Sequence, residues 1–87
     1  MLFICNKIIE NNLQLNCLQK TDAIIFIEDG VYNLLKQDFI KSIDNVNCYA
    51  LSNDIAARQI DIAETFTLAS YPDFVNLCIE HEKICQI

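Results

Sequence analysis

The chain holds one glycine, one proline and no tryptophan in 87 residues, and only six Lys or Arg side chains. Each shortage excludes a class of function. A lone glycine leaves no Gly-rich loop of the kind whose backbone amides cradle phosphate, and no cofactor is expected. The six cations, Lys7, Lys20, Lys36, Lys41, Arg58 and Lys83, are scattered through a chain of net charge −6. There is no basic stripe to neutralise phosphates, so direct nucleic-acid binding is not expected. No apolar run exceeds five residues, far below the roughly 20 that cross a bilayer, and no membrane role is expected. The start, MLFICNK, has neither a basic segment ahead of its apolar residues nor a small-residue cleavage site, so it reads as a strand and not as a signal peptide. Cys5, Cys17, Cys48, Cys78 and Cys85 are odd in number and irregular in spacing, with no CxxC. They fit reduced thiols in a cytoplasmic protein better than a disulfide framework.

What is present is hydrophobic: 53% of residues, with positive mean hydropathy. Residues 1–87 are enough for one small domain and too few for two. A domain of this size buries only roughly 60–65% of its unfolded surface, so association with other chains often adds to its stability.

The organising stretch is AIIFIEDGVYNLL, Ala23 to Leu35. Its apolar run, rich in β-branched Ile24, Ile25 and Ile27, predicts a strand buried on both faces. Gly30 is expected to form the turn after it, and Asp29 to cap the helical segment carrying Val31, Leu34 and Leu35. Around this centre the chain alternates. A strand is expected over Met1 to Cys5, then a helix beginning at Ile8 or near Asn12 and ending about Lys20, and a turn at Thr21 and Asp22. Helical spacing recurs over Gln37 to Ile43, and Val46 to Leu51 predicts a strand with Cys48 buried in it. Ser52, Asn53 and Asp54 offer N-cap chemistry for a short helix, Ile55 to Gln59. After a loop, a strand is expected over Thr65 to Ala69. A helix over Pro72 to Glu82 follows, with proline tolerated at its start and Phe74, Val75, Cys78 and Ile79 at helical spacing. Ile84 to Ile87 is either a short edge strand or a loose tail. Alternation of this kind predicts a three-layer α/β/α domain with a mostly parallel sheet of four or five strands.

Little in this pattern supports catalysis. Glu28 and Asp29 are adjacent, so on a strand they face opposite ways and do not make a paired acid and base. Cys78, His81 and Cys85 would share one face only if the last helix continued through all three, and a zinc site needs a fourth ligand that is not evident; no metal is expected. Cys17 has Lys20 as its nearest cation in sequence and sits late in its expected helix, where the dipole disfavours a thiolate.

Four collinear stretches carry a family resemblance: MLFICNK, IIFIEDGVYNLL, CYALSNDIAARQI and YPDFVNLCIEH. They are similar to the opening strand, the strand ending in DGV, the YAL-x-x-D-x-x-AR segment and the last helix of the TusB and DsrH proteins, with Asp29, Gly30, Asp54, Arg58 and Phe74 at motif positions. The resemblance implies a DsrEFH-like fold and a heterohexamer with TusC-like and TusD-like subunits, two copies of each. In the TusB branch such a complex relays persulfide sulfur towards 2-thiolation of the tRNA wobble uridine, with relay proteins of TusA and TusE type; in the DsrH branch it serves sulfur oxidation. The relay cysteine common to both branches belongs to the TusD-like or DsrE-like partner, so this subunit is expected to be structural or regulatory. DsrH-type members can carry a cysteine in the first helix, which makes Cys17 the residue of an alternative reading as a persulfide carrier. A stand-alone binding domain is the third reading. Tyr32 and Tyr71 are the interface candidates, as aromatics expected to remain exposed. The sequence departs from the family pattern at Phe3, where a histidine is usual, at Gln59 and Ile60, where a glycine usually follows the arginine, in a short first helix-to-strand turn without glycine, and in lacking the usual terminal aromatic.

Overall fold

A computed structural model describes residues 1–10, 18–43, 46–61 and 66–87. Strand β1 is Leu2–Cys5 and β2 is Ala23–Phe26, followed by a 3-10 helix, Glu28–Leu35, and helix α1, Gln37–Ser42. Then come β3 (Asn47–Leu51), α2 (Ser52–Ala57), β4 (Thr67–Ala69), α3 (Tyr71–Glu80) and β5 (Ile84–Gln86). The five strands form one sheet in the order β4-β3-β2-β1-β5, and every pairing is parallel. The tail alternative at Ile84 is thereby resolved as an edge strand, Leu2 beside Ile84 and Ile4 beside Gln86.

Chain direction explains the layers. The connections from β1 to β2, β2 to β3 and β3 to β4 all step the same way across the sheet, so right-handed crossovers lie on one face. The return from β4 to β5 runs the other way and places α3 on the opposite face. The period-2 alternation of each strand supplies both sides. Phe3, Cys5, Ile24, Phe26 and Ala50 join Val31, Leu34, Phe39, Ile43 and Ile55 under the 3-10 helix, α1 and α2. Leu2, Ala23, Ile25 and Ala69 join Leu77 of α3, with Phe74 and Cys78 packed against them. All four residues of β2 are buried, as expected of a strand with neighbours on both edges and helices on both faces. In the larger core Phe26 and Phe39 meet edge to face at 5.6 Å, a geometry that adds about 0.5–1.5 kcal/mol beyond burial.

Several local expectations are corrected. Asp29 is not a cap: the residue preceding the helix is Ile27, which makes no side-chain cap bond, and Asp29 lies inside the first turn. That turn belongs to a 3-10 and not an α-helix. Gly30 lies in the turn, its N–H bonding the Ile27 carbonyl at 2.8 Å, but its φ is not positive; Glu28 is the left-handed residue there, with φ 49°. Glycine is required at 30 for space. A Cβ there would collide with the carbonyl oxygen of Cys5 and lie 2.7 Å from its carbonyl carbon. That oxygen is fixed in place, since it accepts the Ile27 N–H at 2.9 Å. Helix α2 starts three residues early, at Ser52, without a side-chain cap, so Asp54 is in its first turn. Cys48 is half-buried, at the outer end of β3. The expected first helix falls largely on residues 11–17, outside the described residues, and Leu18 and Gln19 are not helical.

The start of α3 carries the strongest local signal and forms as a reciprocal cap. Ser70 Oγ accepts the Asp73 N–H at 3.2 Å and the Asp73 carboxylate accepts the Ser70 N–H at 2.9 Å, with Pro72 just inside the helix. The Ser70 amide holds the Asp73 carboxyl below its ordinary range. The Gln19 amide does the same for Asp22, with a smaller contribution from the N-terminal ammonium, 3.1 Å away.

Two predictions follow from backbone geometry and from these carboxylates. Gly30→Ala should cost several kcal/mol, because the 3-10 helix must lift off β1, whereas Gln59→Gly should add about 1 kcal/mol by relieving the left-handed φ of 53°. Urea midpoints measure both. Both depressed carboxylates contribute stability above their unfolded values near about pH 4, and this is lost as pH falls through the lower folded values. Both carboxylates are solvated, so unfolding midpoints should fall modestly in that window, and Asp22→Asn with Asp73→Asn should flatten that part of the curve.

Candidate functional site

The carboxyl ends of parallel strands are where α/β sheets gather functional side chains. Three motif residues meet there. Asp54, from the first turn of α2, accepts the Glu28 N–H at 2.7 Å through one oxygen and Arg58 at 3.3 Å through the other. Arg58 bonds the Asp29 carboxylate at 3.1 Å with its second terminal nitrogen. Its guanidinium lies 5.8 Å from the centre of the Tyr32 ring, and the carboxylate of Asp29, first among its neighbours, holds its proton more firmly. The sequence logic is simple: Asp54 and Arg58 are four apart on one helix, so both face the loop that leaves β2.

The cluster is a tether. Asp54 clamps the amide of Glu28, the one residue of that turn in the left-handed region, and thereby holds the exit from β2. The Arg58–Asp29 pair is largely solvated and contributes about 0–1 kcal/mol. A stacked guanidinium adds about 0.5–1 kcal/mol. Asp54 is engaged by an amide and by arginine, and Asp29 by arginine.

Beside the tether lies a residue that pattern reasoning passed over. Asn33 is fully buried. Its Oδ1 accepts the Ile9 N–H at 2.8 Å, and its Nδ2 donates to the carbonyls of Lys7 and Gly30, both at 2.9 Å. Lys36 Nζ adds a bond to the Ile9 carbonyl at 2.8 Å. The carboxamide substitutes for ladder bonds that the irregular stretch after β1 lacks. The only sequence signal was an asparagine interrupting the apolar spacing between Val31 and Leu34.

The described thiols are placed for packing. Cys5 is buried, donates to the Lys7 carbonyl at 3.2 Å, and is pushed up in pKa chiefly by burial. Cys48 donates to the Val46 carbonyl at 3.2 Å, and Cys78 packs against the smaller core. None of the described thiols stands at a helix N-terminus, the position that favours a thiolate. α3 ends at Glu80, His81 is extended and Cys85 lies in β5, so the helical face that would have joined Cys78, His81 and Cys85 does not exist. No group of three possible metal ligands occurs among the described residues. Cys17 lies outside the described residues. Of the interface candidates, Tyr32 borders the tether and Tyr71 stands exposed at the start of α3. Phe74 packs inward from α3 and belongs to the smaller core.

Fold and site together define a small, wholly parallel α/β domain whose motif residues brace strand ends. The DsrH-like protein family matches residues 9–84, and the chain belongs to it. It is 39% identical over 71 residues to protein TusB of Buchnera aphidicola subsp. Schizaphis graminum, covering 76% of this chain and 75% of the relative. The corresponding protein of Buchnera aphidicola subsp. Acyrthosiphon pisum is 36% identical over 77 residues, covering 83% and 81%. In fold, the chain is similar to the ychN protein from E. coli, with a TM-score of 0.73 at 9% identity, covering 99% of this chain and 97% of that one. Protein Tm0979 from Thermotoga maritima gives 0.68 at 21% identity, over 95% and 97%.

Asn33→Ala should cost about 2–4 kcal/mol, since it strands buried backbone groups at Ile9, Lys7 and Gly30. Asp29→Asn should cost under about 1 kcal/mol. Chemical denaturation of the two variants side by side checks the ranking; equal losses would mean that the buried carboxamide is not the stronger brace.

Proposed function

We propose that this chain is a non-catalytic subunit of a TusBCD-like sulfur-relay complex, passing persulfide sulfur towards 2-thiouridine at the tRNA wobble position in the cytoplasm. In this reading it assembles with TusC-like and TusD-like subunits, two copies of each, and meets TusA-type and TusE-type relay proteins through the complex. The observation that carries the proposal is family membership with TusB relatives over most of the chain. The chemistry of the described residues supports the non-catalytic part. Their motif carboxylates are engaged, and the thiol at the end of β1 is buried and held protonated. The relay thiol is then supplied by a partner, and this chain contributes surface.

Co-expression with TusC-like and TusD-like subunits tests the assignment, and a stable ternary complex on size exclusion is expected. Cys17→Ser in that complex should leave the sulfur-transfer rate within about twofold. A drop of roughly a hundredfold with assembly intact would shift the role to persulfide carrier.

A further inference from the structure

Among the described elements, α3 alone covers its face of the sheet, and it is not fully used in doing so. Leu77 is buried and Phe74 and Cys78 are half-buried against the strands. Tyr71, Val75 and Ile79 stand four residues apart with exposures of 54%, 57% and 76%. Side chains at that spacing line up along one helical face, so the three form an unbroken apolar ridge. At about 3.6 residues per turn, Asp73 and Glu80 fall on the opposite flank. There they border a groove of about 320 Å³ between α3 and β4, walled by Tyr49, Leu68 and Leu77. Glu80 has no ion-pair partner among the described residues, and α3 contains no Lys or Arg.

We propose that α3 is straddled by a different protein chain, which lays an apolar patch on Tyr71, Val75 and Ile79 and places a Lys or Arg side chain in the groove beside Asp73 and Glu80. This rests on the reading as a complex subunit and assigns the surface through which that subunit joins. Charge chooses the occupant. Two copies meeting through α3 would bring the acids of each helix against a helix without cations, which is unfavourable. A chain with a basic side chain about a helix width from an apolar patch satisfies both flanks at once. Its aliphatic stem would lie along Leu68 and Leu77, with the charge at the acidic rim.

The test uses the complex co-expressed with TusC-like and TusD-like subunits. Val75→Asp with Ile79→Asp should release this chain from the complex. Glu80→Lys should weaken its retention about tenfold or more, and that difference should shrink in high salt. Leu35→Asp, a comparably exposed apolar position on the other face, should leave assembly unchanged. Circular dichroism of the isolated variants should match the wild-type chain, because none of these side chains is buried. Undiminished assembly of the α3 variants would overturn the inference while leaving the complex standing. Wild-type chain that fails to assemble would overturn both, and an isolated chain whose dimer is broken by Ile79→Asp would give the surface to a second copy.

Discussion

The close seat of the 3-10 helix on the end of β1 governs this domain. The Gly30 backbone lies against the Cys5 carbonyl, and the buried Asn33 carboxamide fills the space behind it with bonds to Lys7, Ile9 and Gly30 itself. The contact joins the first connection of the chain to the second across the most buried part of the sheet. Because Cys5 O also accepts from Ile27, one carbonyl sets both the β1–β2 register and the height of the helix above it. Neither partner has a cheap substitute: any Cβ at 30 collides with fixed backbone, and any apolar side chain at 33 leaves buried polar groups unpaired.

Architecture was legible because it depends on periodicity. Four β-forming stretches alternating with helical ones predicted a mostly parallel sheet, with the fifth strand left open against a loose tail, and β2 takes the central position that the run Ala23 to Ile27 demanded. What escaped was geometry that depends on contacts distant in sequence. Whether residues 28–35 wind as an α or a 3-10 helix is decided by how near they must approach Cys5, and no local propensity carries that distance. The same holds for Asp29, whose good capping chemistry is overridden by Arg58, 29 residues away. Where the determinant was local, as with the proline at the start of α3, the helix start was placed to within a residue, although the Ser70–Asp73 box itself went unread.

Among the motif positions, the structure separates two kinds of residue. Asp29, Asp54 and Arg58 hold one another and the exit of β2; Phe74 belongs to the opposite layer. Gln59, the residue after the arginine, has a left-handed φ; glycine at this point would end the helix without strain, and this chain tolerates the strain instead. None of these contacts requires a substrate.

The sheet's two margins, β4 and β5, are three residues each, flanking inner strands of four and five. Margins so brief expose few free amides and carbonyls, which is how sheet proteins avoid templating runaway strand-to-strand polymerisation. Margins this brief give a chain this apolar and this small little edge on which another strand could add. Recognition is left to side chains, which can be tuned one substitution at a time without disturbing the ladder beneath.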